Sequence, residues 1–193
     1  MNFKFEDDII LENDTVLMRP ISMNDIENLL SVATSDKTLL QYSPKQVYNR
    51  DLLTEYIETA VALRSARARY SFSIFDKRNI CYVGSTAFMN ISDLDGRLEI
   101  GATWIGKNFQ GTGLNRQIKY LMLMYAFETM ACNRVEFRTD ERNMQSRRAI
   151  EKIGGKFEGF FRQHTLMYNG FLRNTACYSI LKEEWMNMKQ SFL

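Results

Sequence analysis

The chain has 193 residues, 45% of them apolar, and its 25 basic side chains nearly balance its 23 acidic ones. A chain of this size can bury one substantial core, so we expect a single domain spanning residues 1–193. Because the net charge is close to neutral, nucleic acid and anionic membranes are not the expected partners, although a compact anionic ligand can still bind.

Targeting, disulfide and metal signals are weak along the whole sequence. The N-terminal stretch MNFKFEDDIILEN carries acids where a secretory signal carries bases, and the longest apolar run, Tyr120 to Phe127, is far shorter than the roughly 20 residues of a membrane span. The scattered cysteines Cys81, Cys132 and Cys177 favour free thiols in a reducing compartment. Because His164 is the single histidine, we expect no metal site. The lack of a signal and of a membrane span leads us to expect a cytoplasmic protein with no membrane partner.

The first third of the chain predicts a strand followed by two helices. TVLMRP, from Thr15 to Pro20, alternates like a strand and stops at a proline. Ser22 is then the expected cap of a helix, with Asp25 in the capping-box position. Apolar residues recur at helical spacing in residues 51–67, which predicts a second amphipathic helix.

Three strands in an antiparallel meander are expected next. Residues 70–76, 80–91 and 97–105 are β-branched and aromatic runs. The sequences DKRN and SDLDG separate these runs, and both are favourable turn sequences. The hydrophobic period therefore changes from that of a helix to that of a strand near residue 70.

Gly111 and Gly113 stand directly before a long apolar helix pattern. The first N–H groups of a helix lack intrahelical partners, and the helix dipole adds roughly half a positive charge at that end, so the loop is an anion site. A dinucleotide motif needs glycine at the position of Arg116, and no G-K-[ST] of a P-loop follows. We therefore expect a pyrophosphate on the loop amides, or else an ordinary helix-start turn. Three nearby cations can supply positive charge: Lys107, Arg116 and Lys119.

The last third of the chain alternates strands and helices. A strand at 134–139 and a helix at 143–153, closing at Gly154 and Gly155, precede strands at 156–165 and 174–182. A strand–helix–strand crossover within one sheet is right-handed in nearly all proteins. The expected fold is a mixed α/β sheet with helices on its faces.

Taken in order, the segments LMRPISMNDIENLL, EIGATWI, FQGTGLN, RVEFRTDERNMQSRRAIEKIGGKFEGFFRQH and YSILKEEW resemble the GNAT superfamily of acetyl-CoA-dependent N-acetyltransferases. Within it they look like the Rim-type branch, whose members acetylate ribosomal-protein N-termini. Asn108 stands where the family loop has arginine or glutamine. The resemblance implies a mostly antiparallel, twisted sheet of six or seven strands with helices on both faces. It also implies a splayed central strand pair that binds acetyl-CoA.

The resemblance also implies which residues bind acetyl-CoA. The pyrophosphate would lie on the loop at Gln110, Gly111, Thr112, Gly113, Leu114 and Asn115. The pantetheine arm would run along Thr103, Trp104 and Ile105 as an extra strand. Asn143 would steady the pantetheine or the thioester, and it is equally suited to cap the helix that follows it.

Ser146 is the candidate proton donor to the coenzyme A thiolate, directly or through water. Many relatives use a tyrosine four residues later, but Ile150 stands at that position. The resemblance implies that Rim-type relatives use a serine at the position of Ser146. The alternative is that Ser146 is a plain small helix residue.

Three residues are candidates for the general base. His164 is the first choice and Glu99 the runner-up: His164 stands where the resemblance implies a carboxylate, and histidine is a common general base, although a structural role is the alternative. Strand alternation puts Glu99 on one face with Gly101 and Thr103, although it can equally be a solvated charge at the sheet edge. Glu158 is the third candidate, with anchoring of the following turn as its alternative role. Four nearby aromatic residues could either pack in the core or line the acceptor pocket, and we expect core packing for most of them: Phe160, Phe161, Tyr168 and Phe171.

The sequence therefore predicts an acetyl-CoA:amine N-acetyltransferase. A protein or peptide N-terminus is the first-choice acceptor, and a small amine such as an amino acid, polyamine or aminoglycoside is the second. The competing hypothesis is a non-catalytic acyl-CoA-binding sensor, because the usual tyrosine and one carboxylate are missing. A monomer or a homodimer fits equally.

Overall fold

The computed structural model describes residues 1–192, which form a mixed α/β fold. Its strands are β1 (Leu11–Glu12), β2 (Val16–Pro20), β3 (Arg69–Asp76), β4 (Cys81–Ser92), β5 (Arg97–Ile105), β6 (Arg134–Asp140), β7 (Lys156–Leu166) and β8 (Leu172–Leu181). Its helices are α1 (Asp25–Thr34), α2 (Arg50–Ser65), α3 (Leu114–Met124), α4 (Met144–Lys152) and α5 (Lys182–Met188). A π-helical turn at Tyr125–Thr129 extends α3, and 3₁₀ turns lie at Lys107–Phe109 and Lys189–Phe192. Within residues 1–192, no helix combines the length and apolarity that a membrane crossing requires.

The strands form one eight-stranded sheet in the order β1-β2-β3-β4-β5-β6-β8-β7. Every neighbouring pair is antiparallel except β5 and β6, which run parallel because α3 connects them. The predicted meander is the sheet's β3-β4-β5 portion, and the observed bounds of β5 coincide with the predicted strand at residues 97–105.

Helices cover both faces of the sheet. On one face α1 and α2 pack over a cluster that includes Leu29, Ile57 and Trp104. On the other face α3 and α5 pack over a larger cluster that includes Met122 and Trp185. The apolar spacing along each helix fixes which stripe is buried, as the sequence indicates.

Three local predictions differ from the structure. The first helix begins at Asp25 after Asn24, so Ser22 is not its cap; instead the Ser22 N–H donates to the Asp25 carboxylate at 2.8 Å. The short strand β1 and helix α5 were not predicted, because two residues carry no detectable period and α5 has only seven residues. The sheet consequently has eight strands rather than six or seven.

The pairing of β5 with β6 ends early. Hydrogen-bonded partners run only from Arg97↔Arg134 to Glu99↔Glu136, after which the strands separate. Ala102 adopts φ +47, and the β4–β5 register shifts at this point, so β5 contains a bulge just beyond the last β6 partner. The predicted splayed strand pair is therefore present, with its opening toward the carboxyl ends of both strands.

Candidate active site

The loop before α3 has the geometry of an anion cradle. Gly111 and Gly113 adopt φ +75 and +86, and a Cβ added to either one would meet no atom within 4 Å. Among the described residues, Gly113 is the N-cap of α3 and offers no side-chain capping bond. The Leu114 N–H donates to Thr112 Oγ1 at 3.5 Å and the Arg116 N–H donates to the Gly113 carbonyl, so part of the first turn's amide set is left for a ligand. Within residues 1–192 the buried Oδ1 atom of Asn115 has no hydrogen-bond partner, and as an acceptor it would pair with a donor group of a ligand and not with its phosphate oxygens. Residues 110–115 therefore fit a pyrophosphate-bearing ligand.

The three cations expected at this loop are used elsewhere. Lys107 forms an ion pair with Asp36 in the segment after α1. The Arg116 guanidinium lies over the Phe192 ring, 5.3 Å from its centroid. The Lys119 side chain is buried beneath the sheet, so its assignment to the phosphates was wrong. The cradle relies mainly on backbone amides and the helix dipole.

The bulge at Ala102 reverses the side-chain alternation of β5. Thr103 points to the α3 face, where its hydroxyl lies 2.7 Å from both Thr86 Oγ1 and Lys119 Nζ. Trp104 points to the opposite face and packs against Tyr56 of α2. Glu99 and Thr103 therefore do not share a face, and the prediction from strict alternation was wrong for this pair.

Glu99 lies at the point where β5 and β6 separate, with 4% of its surface exposed. Its Oε2 atom accepts a hydrogen bond from Asn90 Nδ2 at 2.7 Å and lies 3.4 Å from Arg138 Nε. Burial raises the pKa of this carboxyl, although Asn90 and Arg138 act in the opposite direction. The alternative of a solvated edge charge was wrong, because Glu99 is on a central strand.

A row of alternating charges extends from Glu99 across the sheet. Arg138 contacts both Glu99 and Glu136, and Arg134 contacts both Glu136 and Glu158. The guanidinium of Arg134 lowers the pKa of Glu158, which suits an ionised structural carboxylate more than a general base. Sequence reasoning missed this row, although the R-x-E-x-R pattern of β6 places all three charges on one face.

Asn143 and Ser146 lie at the start of α4, beyond the end of β6. The Asn143 Oδ1 atom accepts a hydrogen bond from the Ser146 N–H at 3.0 Å, so the predicted capping role is confirmed. Ser146 is half-buried in the first turn. Ile150, at the position where relatives carry tyrosine, is buried in the core.

His164 lies on β7, one strand beyond β8, and its side chain is exposed. Its Nδ1 atom is 3.2 Å from Thr165 Oγ1 and 3.3 Å from Thr175 Oγ1, and the ring packs against Phe161. The register of β7 against β8 shifts between Phe161 and Thr165, so the histidine belongs to an irregular stretch of strand.

A cavity of about 180 Å³ opens beside α2, on the Trp104 side of the sheet. Pro44, Gln46, Glu55, Tyr56 and Tyr168 are among its lining residues. Tyr56 also packs on Trp104, so the cavity adjoins the strand that follows the bulge. The four aromatic residues assigned to the core are all exposed, and the side chain of Tyr168 reaches this cavity. Among residues 1–192, no cluster of three or more histidine, cysteine or acidic side chains could hold a metal ion.

A family model described as an acetyltransferase (GNAT) domain matches residues 15–156, more than half of the chain. Over 181 residues the chain is 29% identical to a Bacillus subtilis strain 168 protein named "Putative ribosomal N-acetyltransferase YdaF". That match covers 92% of this chain and 97% of the relative.

Two solved structures extend the comparison. A GCN5-related N-acetyltransferase from Brucella melitensis superimposes with a TM-score of 0.89 at 25% identity, covering 98% of this chain and 86% of that one. Ribosomal-protein-S5-alanine acetyltransferase from Vibrio fischeri gives a TM-score of 0.73 at 17% identity, and the match covers 92% of this chain and 99% of that one. The second similarity shows a shared fold.

Proposed function

The chain belongs to the GNAT acetyltransferase family, and from that premise we propose that it transfers an acetyl group from acetyl-CoA to a protein or peptide N-terminal α-amine. One observation carries the proposal: the β5–β6 pair opens at a bulge directly beside a glycine cradle with room for a ligand. Amides of residues 110–115 would hold the pyrophosphate. The freed backbone of Thr103, Trp104 and Ile105 would bind the pantetheine arm.

An N-terminal acceptor makes the smallest demand on the chemistry of this site. An α-amino group with a pKa near 7.8 is neutral about one time in seven at pH 7, whereas a lysine is neutral in less than about one molecule in a thousand. When bound, acetyl-CoA supplies an activated acyl carbon for a neutral amine. The enzyme needs only to take up the proton released from the nitrogen.

Glu99 is our preferred general base. It is a buried carboxylate at the opening of the strand pair, and burial raises its pKa toward the range where a carboxylate removes a proton efficiently. Asn90 and Arg138 orient its Oε2 atom. His164 is the second candidate, because its side chain is exposed and, within residues 1–192, its Nδ1 atom hydrogen-bonds only to the hydroxyls of Thr165 and Thr175.

Ser146 would return a proton to the departing thiolate. Its position in the first turn of α4 is fixed by the Asn143 cap, and the residue is half-buried. Asn143 would thus position Ser146 and steady the pantetheine region with its remaining amide group.

One similarity favours a protein acceptor: the Bacillus relative is named a putative ribosomal N-acetyltransferase. The 180 Å³ cavity beside α2 can receive the first residue of a peptide, because Tyr56 connects it to β5. A small amine is the alternative acceptor for the same cavity. We further propose a cytoplasmic enzyme, acting as a monomer or homodimer.

Steady-state release of thiol from acetyl-CoA tests the proposal. Wild type, Glu99→Gln and His164→Ala are each assayed with N-terminal peptides, amino acids, polyamines and aminoglycosides. We expect turnover of peptides that is lost in Glu99→Gln and largely retained in His164→Ala. The opposite pattern would assign the base to His164. Binding of acetyl-CoA without turnover of any amine would support the non-catalytic sensor.

A further inference from the structure

Lys119 is a buried lysine in the apolar layer between α3 and the sheet. Only 6% of its surface is exposed, and its neighbours along the helix, Ile118 and Met122, belong to the core. Its Nζ atom donates to Thr103 Oγ1 at 2.7 Å, and Thr103 Oγ1 is hydrogen-bonded to Thr86 Oγ1 at the same distance. Thr86 in turn contacts the Met122 sulfur at 3.5 Å. A short polar chain therefore crosses an otherwise apolar layer.

A lysine at this position is unfavourable for stability. Desolvation disfavours the charged ammonium and lowers the pKa of Lys119 to about 7. An apolar side chain of similar length would fill the same space without that cost. A residue that opposes the local packing rule is expected where the fold serves a function at the expense of stability.

The polar chain joins two parts of the proposed cofactor site. Thr103 directly follows Ala102, whose φ of +47 is a strained conformation for a residue with a side chain. Lys119 belongs to the helix whose first turn forms the glycine cradle. At the carboxyl end of β5, two residues after Thr103, the Gln110 side chain donates a hydrogen bond to the Ile105 carbonyl at 2.8 Å. Together these two bonds fix the strand relative to the cradle.

We propose that Lys119 is a positioning residue for acetyl-CoA, acting through Thr103 to hold the bulged end of β5 at a fixed distance from the loop at residues 110–115. The inference rests on the proposed function. A strained bulge persists only where its surroundings hold it, and the Lys119–Thr103 bond supplies part of that support from beneath the sheet. Removing the bond would let β5 relax toward regular pairing and would misplace the backbone that faces the pantetheine arm.

Lys119→Met tests this role, because methionine is an unbranched apolar side chain one atom shorter than lysine and removes the donor. Acetyl-CoA affinity is measured by calorimetry and the melting temperature by circular dichroism, with Lys4→Met, an exposed lysine, as the control. We expect about tenfold weaker binding, the equivalent of one lost hydrogen bond, together with a higher melting temperature. A purely structural residue would change both quantities in the same unfavourable direction.

Thr103→Val removes the same bond from its other partner. We expect it to weaken binding similarly, and the double variant Lys119→Met/Thr103→Val to be no worse than either single variant. If Lys119→Met and Thr103→Val both bind acetyl-CoA like wild type, the positioning role is wrong and the proposed function stands. If wild type itself fails to bind acetyl-CoA, the proposed function and this inference are both overturned.

Discussion

Lys119→Met should stabilise the protein in a pH-dependent manner. The pKa of Lys119 falls from an ordinary 10.5 to about 7 in the folded protein. Each pKa unit corresponds to ~1.4 kcal/mol, so below pH 7 the wild-type fold carries a cost of at most about 5 kcal/mol. The variant avoids that cost but loses a hydrogen bond that contributes ~1 kcal/mol. At pH 6 we expect the free energy of unfolding to rise by about 3 kcal/mol, allowing for partial relaxation around the buried charge.

The sign follows from proton binding. Between pH 7 and 10.5 the unfolded wild-type chain binds a proton that the folded one does not, so wild-type stability rises with pH across this window. The advantage of the variant should therefore shrink by pH 9.5. Urea unfolding at pH 6, 8 and 9.5 measures this for wild type, Lys119→Met and the exposed control Lys4→Met. The claim that Lys119 is buried with a depressed pKa would be refuted by either of two results. One is an equal change of the free energy of unfolding with pH in wild type and Lys119→Met, and the other is a Lys119→Met variant less stable than wild type at pH 6.

Three further substitutions, the first with Gly170→Ala as its matched control, test other parts of the structure. Gly113→Ala forces a side chain into φ +86 with open space around it, so we expect a loss of about 1–2 kcal/mol and weaker acetyl-CoA binding. Gly170→Ala, at φ +81 and equally unobstructed, should lose similar stability but bind acetyl-CoA like wild type. If the two variants bind acetyl-CoA equally well, the loop at Gly113 is not the binding site for its pyrophosphate. Glu99→Gln should lower turnover by ~10²-fold or more at neutral pH. Since burial raises the pKa of Glu99, wild type should lose stability as the pH rises above 4.5, and a Gln variant with the same loss would contradict this. Asp25→Asn removes the charge of a fully buried carboxylate that pairs at 2.6 Å with the partly exposed Arg19, for an expected loss of ~3 kcal/mol in chemical unfolding. A loss below ~1 kcal/mol would mean that the pair contributes little.

Much of the fold is readable in the sequence because its strands and helices have clear periods. Residues 97–105 alternate regularly enough that their strand has the predicted bounds. The glycines at 111 and 113 predict the cradle, because few other residues adopt positive φ there at low cost.

The bulge at Ala102 could not be predicted in the same way. Alanine is an unusual residue at positive φ, and its conformation depends on contacts with β4 and α3 that only the folded chain provides. Missing the bulge placed Thr103 on the wrong face. The environment of Glu99 likewise depends on Asn90 and on Arg138, and Arg138 comes from a strand that is distant in sequence.

The position of Lys119 illustrates the same limit. By sequence distance it lies close to the glycine loop, and a lysine there is a reasonable phosphate ligand. On the helix, however, its side chain points toward Thr103 and the sheet. Helical direction, rather than proximity along the chain, decided where the charge lies.

Mass spectrometry of a peptide incubated with acetyl-CoA and the wild-type protein tests the central claim most directly. We predict a single added acetyl group on the α-amine, with lysine side chains in the same peptide unmodified and no addition when the protein is omitted. If acetyl-CoA protects the protein against thermal unfolding but no peptide or small amine acquires an acetyl group, the enzyme account is contradicted.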